Sequence, residues 1–352
     1  MTGVLTPQKY ARLWGTWLLV TAATFLFCMH VGPGDPGTHT IGWGWPANAA
    51  FWDIRAMRVI PAGIVGFALA ASGVTLQALL RNPLADPYVL GISSGSSVGV
   101  MAWLFATGPL YARIAGVGAA RWILEHGVMI PALAGAVISG IVVFALAKPR
   151  RGSVGSADSL TLLLVGVVVS AINQAILMLL NSLAPAGVKA DLINYLMGSI
   201  SNDVRQGTIW IAVVVLAAAY IPMLLAGNAL NIGSLSDVEA TSLGIDIRRL
   251  RTICFFSASV TTGVSIMLSG PIGFVGLICP HICRLLVGAD HRKLAVAAPF
   301  CGAAFLMLAD TFVRATGMII PGGELPVGVI TAICGGPFFL FLLKRRQGGG
   351  EA

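Results

Sequence analysis

The chain has 352 residues, of which 57% are hydrophobic and only 10% charged, and its mean hydropathy is +0.87. A soluble domain carries about 25% charged residues, so the composition excludes a soluble globular protein and points to an all-α polytopic membrane protein, read as one domain over 1–352. The formal charge of +8 is not a nucleic-acid patch, because most of the Lys and Arg fall on one side of the apolar runs, the bias of cytoplasmic loops.

About 20 apolar residues cross the hydrocarbon core as a helix. The first predicted span covers 10–29, with Lys9 and Arg12 on its inner flank. It is not followed by the small-residue cleavage site of a secretory leader. An outer loop at 32–55 is rich in Gly, Pro and Trp, and Trp43, Trp45 and Trp52 suit an interfacial belt. The second span covers 57–80, flanked by Arg55 and Arg58 outside and Arg81 inside. The two prolines of 81–87 then break the chain. In the third span, 88–107, Gly91, Gly95 and Gly99 lie four apart and bare one face for close packing.

After an outer segment at 108–126, the fourth span covers 127–147, with Lys148, Arg150 and Arg151 at its inner end. The fifth, 159–183, carries Asn173, Gln174 and Asn181, which are costly in lipid and must face protein or a cavity. The outer segment 184–206 is predicted to hold a short interfacial helix around Leu192, Tyr195, Leu196 and Met197. The sixth span covers 207–226.

The stretch 228–251 is the longest polar interruption in the second half. Ser236 to Glu239 fits a capping box, and Gly244 sits where a left-handed C-terminal residue would. A short helix is predicted over 236–243, with another before Gly233. A polar helix between two spans, followed by Arg248, Arg249 and Arg251, reads as a cytoplasmic docking surface. The seventh span covers 252–270, and the glycines of 270–276 predict a flexible outer turn. The eighth, 272–288, is short and interrupted by Pro280. The ninth covers 294–316 and the tenth 325–343, where Lys344, Arg345 and Arg346 end it inside. Ten spans with both termini inside fit every basic cluster and permit two inverted halves of five.

The six cysteines lie in or beside apolar runs and make no disulfide framework. Cys279, His281 and Cys283 could offer two ligands on one helix face, but no second pair is evident, and small apolar cysteines in a span explain them. Gly91 to Gly95 matches G-x-S-x-G around Ser93 but lacks the preceding strand that a nucleophile elbow needs. Gly32-Pro-Gly34-Asp35 resembles an intramembrane aspartyl protease motif but lies in a Pro-rich loop, where a turn accounts for it. There is no H-E-x-x-H and no P-loop, so any ATP hydrolysis belongs to another subunit. Asp310 is the acid inside a span, with Arg314 at i+4, and an intrahelical pair would neutralise both. Glu324 reads as a helix-entry signal for the tenth span. His281 and Arg284 read as a satisfied interior pair.

Arg81-Asn-Pro-Leu-Ala-Asp-Pro-Tyr-Val-Leu-Gly91, Leu243-Gly-Ile-Asp-Ile-Arg-Arg-Leu-Arg251, Gly270-Pro-Ile-Gly-Phe-Val-Gly-Leu-Ile-Cys-Pro-His281, Asp290-His-Arg292, Leu308-Ala-Asp310 and Glu324-Leu-Pro-Val-Gly328 occur in this order. Together, over about 55–343, they closely resemble the FecCD permease subunits of type II ABC importers. The resemblance implies import of ferric siderophores, haem or cobalamin through ten spans per subunit in inverted five-helix halves. It implies a second permease subunit, here read as a homodimer, two ATPase subunits holding ATP and Mg, and a periplasmic or lipid-anchored substrate-binding protein. No cofactor is expected on this chain. The bacterial inner membrane is the expected location.

Carried over residue by residue, the resemblance assigns binding-protein docking to Arg55, Arg58 and Arg314. It assigns ATPase coupling to Leu235, Ser236, Asp237, Val238, Glu239, Leu243 and Gly244. Asn82, Leu84 and Ser159 match its cytoplasmic gate. Asn173, Gln174, Leu196 and Met197 are the expected pathway lining, which should be weakly polar so that large cargo is not held tightly. Cys279 and Cys283 stand where the family usually has aliphatic or small residues. Two other readings remain: a proton-coupled transporter using Asp310, and an intramembrane hydrolase using Ser93.

Overall fold

The computed structural model describes residues 6–33, 41–46, 49–114, 127–147, 159–184, 189, 193, 195–200, 204–235, 237–319 and 325–348. Helix α1 spans Pro7–His30, and Thr6 caps it by accepting from the Lys9 amide at 3.4 Å. Strands β1 (Val31–Pro33) and β2 (Ile41–Trp43) form an antiparallel pair in which Gly32 faces Gly42. This pair was not predicted, because three-residue strands inside a Gly/Pro-rich loop leave no periodic signal.

Helix α2 spans Ala49–Leu79, longer at its start than the predicted second span, so Trp52 and Arg55 are helical. Helix α3 (Ile92–Ile114) starts later than predicted. Asn82 and Asp86 each accept from the amide two residues on, from Leu84 at 3.0 Å and Tyr88 at 2.9 Å. These side-chain turns compete with helix and, with Pro83 and Pro87, keep 80–91 irregular. Helices α4 (Met129–Leu146), α5 (Ser159–Leu183) and α6 (Gln206–Leu225) follow. Two short helices come next, α7 (Gly227–Gly233) and α8 (Asp237–Ser242). Helix α9 spans Ile247–Ser269, capped by Asp246 accepting from the Arg249 amide. Helices α10 (Val275–Val287), α11 (His291–Ile319) and α12 (Val327–Gly348) complete the described chain.

Seven of these helices are long and apolar enough to cross a membrane: α1, α2, α4, α5, α6, α9 and α11. Shorter apolar stretches occur in α3, α10 and α12. The apolar windows of α2, α9 and α11 are 78%, 72% and 72% buried, against 11% for α1 and 22% for α5. Helices α2, α9 and α11 therefore form the inner layer, and α1 and α5 present apolar faces outward.

Two features let the inner helices pack. At Gly66 an added Cβ would collide with the Gly302 carbonyl oxygen, and at Gly302 one would collide with the Gly66 carbonyl oxygen. Small residues permit such backbone contact. Between α2 and α9 the hydroxyls of Ser72 and Thr262 lie 2.9 Å apart, and both donate to the Ala258 carbonyl. Gly95 fulfils its predicted packing role, lying against Ser139 and the Gly135 carbonyl of α4.

The segment 270–276 is packed rather than loose. Gly270 takes φ +66 against the Tyr195 carbonyl, Pro271 and Ile272 are buried, and Gly276 meets the α2 backbone at Leu69 and Gly73. Gly270 and Gly276 serve close approach here, which composition alone cannot distinguish from flexibility, whereas Gly273 has open space beside it. Cys301 of α11 packs against the clusters that hold Cys279 and Cys283, so the third thiol of that patch comes from a neighbouring helix. Arg284 donates to Gln77 at 3.3 Å, and His281 packs edge-on to Phe338.

Candidate functional site

The bundle has two chemically distinct ends. One carries the β1–β2 pair and the start of α2. There Arg58 Nε donates to Asp310 Oδ1 at 3.0 Å, and Arg314 Nε donates to Asp310 Oδ2 at 3.1 Å. Arg58 is 4% exposed, Arg314 8% and Asp310 0%. The i,i+4 pair read from the sequence is present, but the carboxylate also holds an arginine from α2. Arg55 lies beside them, with Nη1 donating to the Met29 carbonyl at 2.6 Å and the Gly44 carbonyl at 2.9 Å. The three arginines assigned to docking thus gather at one end, each engaged within the chain.

The other end carries α7, α8 and the 80–91 loop. Asn231 of α7 donates to Asp290 at 2.7 Å and accepts from the His291 amide at 2.8 Å, which ties α7 to the start of α11. Arg292 closes on Asp290 with Nη2 at 2.8 Å from Oδ2. Burial alone would raise the Asp290 carboxyl, but the hydrogen bonds from Arg292 and Asn231 outweigh it and hold the group down at about 2. Gly244 takes φ +82 behind α8, and the Ile245 amide closes back on the Ala240 carbonyl at 3.1 Å. This is the left-handed stop read from the sequence. Ser236 lies outside the described residues, and so do Leu192, Glu324 and the Gly34-Asp35 pair. Asp237 and Glu239 begin α8. Leu235, Val238 and Leu243 are 47%, 78% and 61% exposed, an apolar face on an otherwise polar element.

The gate residues lie next to this platform. Asn82 and Leu84 form the turn after α2, and Ser159 Oγ at the start of α5 reaches the Leu79 carbonyl at 3.4 Å. Of the expected lining residues, Asn173 is committed. Its amide donates to the Gly91 carbonyl, Ser94 Oγ and Ser139 Oγ at 3.1–3.2 Å, joining α5 to α3 and α4. Gln174 is half-buried, Leu196 packs with Met101 and Leu177, and Met197 is 47% exposed. Sequence reasoning placed Arg81 on the inner flank of the second span and Arg251 in the docking stretch but missed their shared partner, since both bind Asp237.

The FecCD transport family matches residues 16–345. The chain belongs to the FecCD transport family. Relatives of this FecCD chain include a "Probable iron chelatin transport system permease protein" of Helicobacter pylori, 36% identical over 296 residues, covering 84% of this chain and 82% of that one. A "Hemin transport system permease protein HmuU" of Yersinia pestis is 34% identical over 312 residues, with 87% of each chain covered. Among solved structures, the FecCD chain matches one described as "An inward-facing conformation of a putative metal-chelate type ABC transporter". The TM-score is 0.77 at 26% identity, over 95% of this chain and 99% of that one. The protein is a multi-pass membrane permease.

Proposed function

We propose that this permease carries an iron chelate, a ferric siderophore or haem, inward across the bacterial inner membrane, driven by ATP hydrolysed on a separate subunit. The supporting observation is the α7–α8 platform, which exposes Leu235, Val238 and Leu243 and is joined to the Asn82 loop through Arg81. In this reading two copies, each with ten spans in inverted halves, enclose the pathway, and both termini face the cytoplasm. Two ATPase subunits holding ATP and Mg seat against Leu235 to Glu239, Leu243 and Gly244. Their closure moves the gate at Asn82, Leu84 and Ser159. Gln174, Leu196 and Met197 face the pathway, with Asn173 holding its wall together.

At the opposite end a substrate-binding protein docks through carboxylates onto Arg55, Arg58 and Arg314, an electrostatic step. Those carboxylates compete with Asp310, which already engages Arg58 and Arg314. The same double engagement favours a structural clamp over the proton-coupled reading of Asp310. Ser93 is buried on α3 among packed helices, which favours packing over hydrolysis.

The test is ATP hydrolysis by the complex reconstituted with its ATPase and binding protein, screened with haem, several ferric siderophores and cobalamin, the third cargo implied by the sequence resemblance. One iron chelate is expected to stimulate hydrolysis and to accumulate in the vesicles. Uptake by the permease alone under a pH gradient would overturn the proposal.

A further inference from the structure

Arg81 is the residue at which the α7–α8 platform meets the gate loop. It follows the last turn of α2 with φ +48, a left-handed conformation that a residue bearing Cβ rarely adopts. That turn aims its side chain at the platform. Nε donates to the Gly233 carbonyl at the end of α7 at 3.0 Å, and Nη2 donates to Asp237 Oδ1 at the start of α8 at 2.5 Å. Asp237 is held from the far side as well, because Arg251 of α9, 5% exposed, donates to the same oxygen at 3.1 Å. On the loop side the chain is stiff directly after Arg81. The Asn82 amide closes on the Gln77 carbonyl at 3.1 Å, and Asn82 Oδ1 takes the Leu84 amide.

We propose that Arg81 is a positioning residue that transmits displacement of α8 to the gate loop, through a rigid connection from Asp237 to Asn82 and Leu84. The proposal rests on the reading that α8 receives the ATPase. Arginine suits the task because its planar fork can serve a carbonyl and a carboxylate in one fixed geometry, whereas lysine offers a point charge on a flexible stem. A surface ion pair that tied down only two loops would add little to folding. This one joins the receiving helix to the moving segment, so its removal should separate two activities that otherwise run together.

The experiment uses the full complex in proteoliposomes, with Cys334→Ser removing the exposed native thiol and Leu84→Cys reporting on the loop. Two quantities are read: the ATP hydrolysis rate, and the change that ATP causes in the rate of maleimide modification at position 84. For Arg81→Ala we expect assembly and hydrolysis to stay within about twofold. The ATP-driven change at position 84 should shrink at least about tenfold, well beyond the effect on hydrolysis. Arg81→Lys should retain part of the change. An Arg81→Ala complex that keeps the full ATP-driven change overturns the proposal. So does one in which assembly, hydrolysis and loop movement fall together, which marks a purely structural role. A parent complex that assembles and hydrolyses ATP without any change at position 84 overturns the strut alone. A permease that recruits no ATPase overturns the coupling reading with it.

Discussion

Asp310 joins two helices with one carboxylate, and both of its oxygens carry an arginine hydrogen bond. Removing one member of a buried ionic cluster costs about 3–5 kcal/mol, because the remaining charge is left uncompensated. Asp310→Asn leaves two buried guanidinium groups without their anion, so it is expected to lower the thermal midpoint of the detergent-solubilised protein. Tryptophan fluorescence melts check this. The same geometry decides how docking is best probed. Reversing Arg58 would damage the clamp, whereas Arg55→Glu tests the docking patch without touching Asp310. Asp290 offers a second readout at this scale. Its folded value of about 2 lies below the ordinary aspartate value of about 3.9. Its contribution is therefore fully present above about pH 4 and is lost as pH falls toward about 2. The melting temperature of the parent protein should drop across that window, and Asp290→Asn should flatten the drop.

Helix α8 has six residues, too few to persist alone, since isolated helices shorter than about 12–15 residues are marginal in water. It is held instead by Asp237, which takes Arg81 and Arg251, and by the Gly244 stop. Its most exposed apolar side chain, Val238, makes no contribution to that hold. Val238→Asp is expected to abolish co-purification of the ATPase while leaving the melting temperature of the isolated permease unchanged. Equal ATPase recovery with the variant would remove α8 from the docking surface. The inner helices obey a different constraint, since the Gly66–Gly302 approach leaves no room for a Cβ on either side.

Across the whole molecule, the basic residues and the platform identify one side. Lys9 lies in the first turn of α1, Lys293 in the first turn of α11 and Lys344 near the end of α12, whereas Lys189 falls between α5 and α6. If α8 faces the cytoplasm, an impermeant amine reagent added to sealed right-side-out vesicles should label Lys189 and spare Lys9, Lys293 and Lys344. Peptide mass spectrometry reads the result, and labelling of Lys344 from outside would invert the topology.

The sequence by itself determined what depends on neighbours along the chain. Hydropathy located the seven helices long and apolar enough to cross a membrane, Gly244 marked the end of α8, and the i,i+4 spacing paired Asp310 with Arg314. Each of these follows from backbone periodicity or one turn of helix. Tertiary structure alone decided which distant groups meet. Arg58 finds Asp310 from 252 residues away, Arg81 finds Asp237 from 156, and Asn173 finds the Gly91 carbonyl from 82. It also packed Gly270 and Gly276 against their neighbours where a flexible outer turn was expected. A buried polar group in an apolar bundle needs a partner, but composition does not say which helix supplies it. That choice is made when the helices pack.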